Sequence, residues 1–293
     1  MIRSRAIQSA EVVAAVRAAV AGEDALAVTC EDRLAKHFLG CKYRIMASIL
    51  PQRLIRWIIH LNSPGGYCFI ITRTRHFDET LLSEIRSGVE QVVMLGAGYD
   101  SRPFRFQEEL RRIRVFEIDH PGTQARKKRI LRRIGKDSPV NLRYLPVDFN
   151  RNSLQTALLE HGFSRNLKTL FLWEGVSYYL PRPVVESVLD FVGACAPGSS
   201  IIFDYAIRDF VETDTRTYGG KQIASWLKKT REPFLFGLNA DETPQFLAGH
   251  DLHTVSDLGP EELEARHLKT KDGGSLGRTL GHVRMVHARA IGS

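Results

Sequence analysis

The sequence predicts an α/β fold, a mostly parallel sheet with helices on both faces. Three observations carry this expectation. From about residue 86 to 210, short apolar runs alternate with helical patterns, as in consecutive βαβ units. The run Val92 to Leu95 is apolar without alternation and breaks into Gly96-Ala97-Gly98. The next strand-like runs end in acidic residues at what would be one rim of the sheet.

In chain order, residues 1–85 read as mainly helical. Val12, Val13, Val16 and Val20 fall at helical spacing and predict one amphipathic helix. Leu54-Ile-Arg-Trp-Ile-Ile-His-Leu61, interrupted by Arg56 and His60, predicts a second, packed on the domain or lying as a lid over the site. Asn62-Ser-Pro-Gly-Gly66 is a loop by its turn residues.

The first strand ends in the glycine loop. Two glycines one residue apart let the backbone turn sharply and let a ligand approach where a Cβ would clash. A strand running into such a loop and then a helix opens many nucleotide-type sites. The loop lacks the Lys-Ser/Thr ending of a phosphate-binding loop, which argues against nucleoside triphosphate hydrolysis. Ser101 stands where the third glycine of a dinucleotide fingerprint belongs, which weighs against NAD or FAD.

Arg114-Val-Phe-Glu-Ile-Asp119 is the predicted second strand, ending in Glu117 and Asp119. An acid about 20 residues beyond the glycines accepts from ribose hydroxyls, a sugar common to NAD and S-adenosylmethionine. Asn141 to Phe149 is the third, ending at Asp148, a carboxylate able to accept from an adenine amine. Thr169 to Trp173 is the fourth and delivers Glu174-Gly175-Val176-Ser177-Tyr178-Tyr179-Leu180-Pro181 to the carboxyl rim, where open α/β sheets bind ligands. Ser200 to Asp204 is the fifth, after the turn Ala196-Pro-Gly198. Thr213 to Arg231 reads as helical apart from Gly219-Gly220, and Leu252 to Leu258 and His282 to Ala290 read as late strands. Two regions follow: a helical cap over residues 1–85 and a catalytic domain over 86–293, with an acceptor-binding insertion around 211–250.

Four blocks together resemble the leucine carboxyl methyltransferase and polyketide (tetracenomycin-type) O-methyltransferase family. They are Arg73-Thr-Arg-His-Phe-Asp78, Val93-Met-Leu-Gly-Ala-Gly-Tyr-Asp-Ser-Arg102, Phe116-Glu-Ile-Asp-His-Pro121 and Trp173 to Pro181. Tyr99 and Ser101 depart from the usual Leu and Thr of that glycine motif. The resemblance implies a Rossmann-like class I methyltransferase with a seven-stranded sheet, its late strands an antiparallel pair at one edge. It implies S-adenosyl-L-methionine as cofactor. Arg73, with Arg75 as second candidate, would hold the methionine carboxylate, a task suited to a guanidinium fork. Gly96, Ala97 and Gly98 would line the methionine part. Asp119, helped or replaced by Glu117, would take the ribose, Asp148 and Phe149 the adenine, and Glu174 the amino group.

The 293 residues, with 43% hydrophobic and 25% charged, are ordinary for a globular chain. The net charge of +8 is spread out, with one concentration at Arg126-Lys-Lys-Arg129 and Arg132-Arg133, expected to be a solvated helix face. No module for reading nucleic acid is present. Cys30, Cys41, Cys68 and Cys195 are scattered, which argues against a cysteine zinc site or disulfide framework and fits a reduced cytoplasm. No metal site is read. Gln8, Glu11 and Arg17 interrupt the only run resembling a signal peptide, and no run reaches the about 20 residues of a membrane helix.

Methyl transfer from a sulfonium needs placement above all, because the cofactor carries the activated group. A carboxylate acceptor is already ionised and needs no base. A hydroxyl acceptor would use one, and His76, His120, His250 and His253 are candidates by residue type. No His–Asp spacing singles one out, which favours a carboxylate acceptor, as does the resemblance, and the expected acceptor is a carboxylate of a natural product or peptide C-terminus. Tyr178, Tyr179 and Tyr205 are candidates for the acceptor pocket, with Tyr178 and Tyr205 carried as catalytic candidates. Arg208 and Arg216 are candidates to orient an acceptor carboxylate. The alternatives are hydroxyl methylation in secondary metabolism, a nicotinamide-dependent oxidoreductase, and a cofactor-binding protein without turnover.

Overall fold

The structure, a computed structural model, describes residues 5–21, 23, 25–27, 32–40, 43–45, 49–147 and 154–292. Its helices are α1 (Arg5–Val20), α2 (Gln52–Asn62), α3 (Gly66–Arg86), α4 (Arg102–Arg105), α5 (Gln107–Leu110), α6 (Pro121–Arg133), α7 (Leu154–Glu160), α8 (Arg182–Gly193), α9 (Arg208–Val211), α10 (Gly220–Thr230), α11 (Thr243–Ala248) and α12 (Pro260–His267). Its strands are β1 (Gln91–Leu95), β2 (Arg114–Asp119), β3 (Leu142–Pro146), β4 (Thr169–Trp173), β5 (Ser200–Ile207), β6 (Gly237–Leu238), β7 (Leu252–Leu258) and β8 (Val283–Ala290).

The sheet runs β3-β2-β1-β4-β5-β8-β7, and β6 pairs with the end of β5 off this path. The pairs from β3 to β5 are parallel. β8 runs antiparallel between β5 and β7. The main path thus has the expected seven strands with an antiparallel pair at one edge; the added two-residue β6 was not foreseen. The order reverses between β1 and β4, the switch point where open α/β sheets bind ligands.

Alternation along the central strands builds two cores. Val93, Leu95, Phe171 and Trp173 face one side, against Val185, Val188, Leu189 and Val192 of α8. Val92, Met94, Leu170 and Leu172 face the other, against Phe69, Ile70, Phe77 and Leu81 of α3. The helical pattern over 213–231 resolves into α10 alone; the stretch before Gly219 is irregular.

The helices refine three expectations. The buried stripe of α1 is Glu11, Ala14, Arg17 and Val20; of the expected valine row, Val20 is buried, Val13 and Val16 are half-buried against the core, and Val12 is exposed. The two charges turn inward because each has a partner: Glu11 pairs with Arg126, and the Arg17 guanidinium reaches the Tyr99 carbonyl at 2.7 Å and Asp32 at 3.6 Å. Helix α2 packs through Ile59 but exposes Leu54, Trp57 and Leu61, and it lines no part of the main cavity, so it is not a lid there. The basic run on α6 is mostly a solvated face, except that Lys127 is fully buried. Cys68 and Cys195 are buried free thiols, while Cys30 and Cys41 lie outside the described residues. Among the described residues no helix is long and apolar enough to cross a membrane.

Candidate active site

A cavity of about 600 Å³ opens at the carboxyl ends of β1, β2 and β4, a volume typical of small-molecule sites. The glycine loop forms its floor. Gly96 and Gly98 adopt φ of +65° and +50°, and the Ala97 amide donates to the Ile118 carbonyl at 3.0 Å, tying the loop to β2. A Cβ on Gly96 would sit 2.5 Å from Val176 Cγ2 on the opposite wall. Gly96→Ala is therefore expected to cost at least about 1–2 kcal/mol from backbone conformation alone and to push Val176 into the cavity. Thermal denaturation alongside ligand titration checks this; an unchanged melt and unchanged affinity would contradict it.

Asp119 stands beside this floor. Its carboxylate accepts from the Gly98 amide and from the His120 amide at 2.5 Å. Burial pushes its carboxyl up from the ordinary value, and the two amides pull against that push. Each oxygen keeps lone-pair capacity toward the cavity.

The opposite wall is ionic. Arg73, 4% exposed on α3, places Nε 3.1 Å from Glu174 and Nη1 3.2 Å from Asp204, and Nη1 also donates to the Tyr178 hydroxyl at 3.3 Å. Its Nη2 makes no hydrogen bond among the described residues, and the side chain lines the cavity. Gly175, at φ +74°, leaves room for this guanidinium, since a Cβ there would lie 2.9 Å from Nη1. Asp204 also receives the Gly175 amide at 2.6 Å.

Arg102 lies behind Glu174 at 1% exposure. Its guanidinium bonds Asp78 and Glu174, each at 2.7 Å, Asp100, and the Thr74 carbonyl at 3.3 Å. Burial opposes ionisation at Glu174, but Arg102 and Arg73 outweigh it and hold the carboxyl below its ordinary value.

Arg73, Gly96, Ala97, Gly98, Asp119, Glu174 and Tyr178 thus meet in one cavity. Three expected residues do not. Arg75, two positions along α3, turns away and donates to the His267 carbonyl at 2.6 Å. Glu117 sits one rung below Asp119, where Lys127 Nζ contacts its two oxygens at 2.7 and 2.8 Å; burial pushes its carboxyl up to about 7 against the pull of Lys127. Tyr205 lies within β5 and points to the far face, bonding Asp257 at 2.7 Å and Thr243 at 2.9 Å. Asp148 and Phe149 lie outside the described residues.

The acceptor candidates also sort. A 3-10 turn over Ser177–Tyr179 brings both tyrosines to the cavity rather than one. Arg208 pairs with Glu242 at 2.6 Å and Arg216 with Asp214 at 2.6 Å, so neither lines it. Of the four histidines only His120 does; His250 pairs with Asp190 at 2.6 Å. The sequence reading missed Arg102 and Asp204, which buttress the site, and Trp226, Arg231, Glu232, Pro233 and Leu235, which complete its outer wall with Val12 and Val13. Asp204 ends the apolar part of the fifth strand, the same signal that marked Asp119. The 226–235 wall lies within the insertion expected around 211–250, though no local motif singled out its residues.

A model of the leucine carboxyl methyltransferase family matches residues 10–193. The chain belongs to that family. The match spans α1 through α8, hence the glycine loop, Asp119, Arg73 and Glu174; Asp204 and the 226–235 wall lie beyond it. The chain is similar to YktD of Bacillus subtilis, provisionally named an S-adenosyl-L-methionine-dependent methyltransferase, at 29% identity over 80% of this chain and 77% of that protein. It is similar to a Streptomyces coelicolor protein of the same provisional name, at 35% identity over 62% of this chain and 59% of that protein. A DUF574 family protein from Streptomyces avermitilis shares the fold, with a TM-score of 0.61 at 12% identity over 98% of this chain and all of that one.

Proposed function

We propose that the protein transfers a methyl group from S-adenosyl-L-methionine to an acceptor carboxylate, giving a methyl ester on a small natural product or a peptide C-terminus. The family and the names of its relatives support the methyl donor and the reaction class. The cavity fits that donor. The glycine floor admits a close backbone approach, Asp119 offers acceptors to ribose hydroxyls, Arg73 Nη2 faces a carboxylate position, and ionised Glu174 faces an ammonium position.

One observation carries the carboxylate reading: among the described residues the outer part of the cavity holds no histidine, and its one carboxylate is Glu232. Burial, with Asp204 beside it, holds the Tyr178 phenol well above its ordinary value, so it stays protonated. His120 stands next to Asp119, at the ribose end rather than the outer wall. The outer wall is Val12, Val13, Tyr179, Trp226, Pro233 and Leu235, with Arg231 as its exposed cation and Glu232 as its half-buried anion. Such a wall receives a largely apolar acid, whose carboxylate would sit toward Arg231 and away from Glu232. When bound, the donor supplies a methyl on a positively charged sulfur, open to in-line displacement. The protein's part is approximation, worth on the order of 7–11 kcal/mol at best, with Arg73 and Asp119 fixing the two ends of the donor and the apolar wall excluding water.

The test is turnover with labelled donor across acids, peptides and phenols. Label that alkali releases from the product as methanol is the expected result; alkali-stable label marks an ether and contradicts the carboxylate. The pH–rate profile should lack an inflection near 7. An essential base appearing there would favour a hydroxyl acceptor.

A further inference from the structure

Away from the cavity, α3 and α12 bring together His76, Glu79 and His267. Their nearest donor atoms all lie within 4.8 Å of one another, and His267 Nδ1 is 3.5 Å from Glu79 Oε1. The two imidazoles are buried, His267 at 0% exposure, with ring centroids 5.5 Å apart and planes tilted by 55°. None of their four ring nitrogens makes a hydrogen bond among the described residues. Two buried rings without partners are costly, about 1–3 kcal/mol for each orphaned group, and such orphans point to an ion or an ordered water. Burial pushes both imidazoles down, His76 to about 4 and His267 to about 3, so each offers a lone pair at neutral pH.

We propose that His76, Glu79 and His267 form a binding site for a divalent transition-metal ion, with Zn²⁺ the first choice. Two imidazoles and one carboxylate are a recurring zinc set that leaves a fourth position for solvent. Imidazoles disfavour Mg²⁺ and Ca²⁺, which demand oxygen ligands. His76 and Glu79 are three apart on α3 and so share a face, while His267 closes the site as the last residue of α12. Glu79 is 42% exposed and gives the ion its route in. A tetrahedral ion holds its donors roughly 3.4 Å apart, so the set closes by a small rotamer adjustment. The opposing charges are Arg266, whose Nε lies 3.2 Å from Glu79, and Arg75, whose Nη2 lies 3.9 Å away. Arg266 is 54% exposed and free to swing out; Arg75 stays on the His267 carbonyl. The ion would clamp α12 to the helix that carries Arg73.

The test uses the full-length protein after chelation, with Co²⁺ as optical probe and Zn²⁺ as competitor. One equivalent of Co²⁺ should give a visible absorption band that Zn²⁺ abolishes, and Zn²⁺ at about a hundredfold excess over its Kd should raise Tm by roughly 4–8 °C. His76→Gln and His267→Gln should remove both responses. Glu79→Gln, at an exposed position that folding tolerates, should weaken binding by at least about tenfold, with affinity for the methyl donor unchanged. No band and no Tm shift in the wild type would overturn the proposal in favour of ordered water alone. So would a response undiminished in Glu79→Gln and whichever histidine variant folds.

Discussion

Arg102→Met is expected to lower the unfolding free energy by about 3–5 kcal/mol, the usual cost of removing one partner from a buried ionic cluster. Tm should fall on the order of 10 °C. The size follows from geometry: one guanidinium holds Asp78, Asp100 and Glu174, and Met fills the volume without answering any of them. The pH dependence is a second readout. Burial alone would raise the Asp100 carboxyl, but Arg102 outweighs it and holds it down at about 2, against an ordinary 3.8. A depressed carboxyl contributes stability above its ordinary value and loses it as pH falls through the folded value. Wild-type stability should therefore drop between about pH 4 and 2, and Arg102→Met should flatten that drop. Denaturant unfolding across this range checks both statements; equal stability of the two proteins at pH 7 would contradict them.

Arg73→Ala is expected to weaken binding of the methyl donor by about a hundredfold, since a hydrogen bond to a charged group contributes about 1.5–3 kcal/mol. It also strands Asp204 and Glu174, so Tm should fall as well. Arg73→Lys separates the two effects. It keeps a charge against Asp204 and Glu174 but loses the planar fork, so stability should recover more than affinity does. Affinity unchanged in Arg73→Ala would remove Arg73 from the donor site.

Much of this arrangement was legible because parallel strands buried on both faces read as short apolar runs, and ligands gather at their carboxyl ends. That rule placed Gly96, Gly98, Asp119 and Glu174 on one rim. The errors were of orientation. Arg73 and Arg75 are two apart on a helix and cannot face the same way, so only one could reach β4. Asp204 and Tyr205 are neighbours on a strand and must point to opposite faces, so only one could approach Arg73. Both outcomes follow from periodicity once the element is known to continue: β5 runs on to Ile207, past the expected end at Asp204. Glu117 is a different case. It shares the parity of Asp119, and what removes it from the site is Lys127 arriving from the next helix. Such a meeting depends on how α6 packs, which no local pattern records. The 226–235 wall is set by tertiary placement in the same way.

The glycine floor and Asp119 are the core of the donor site. Calorimetric titration with S-adenosyl-L-methionine, its demethylated product and NAD(P), on the wild type and on Asp119→Ala, is the direct measurement. One site for each sulfur ligand, no heat from NAD(P), and affinity at least about tenfold weaker in Asp119→Ala is the predicted result. Binding of NAD(P) with no response to either sulfur ligand would contradict it.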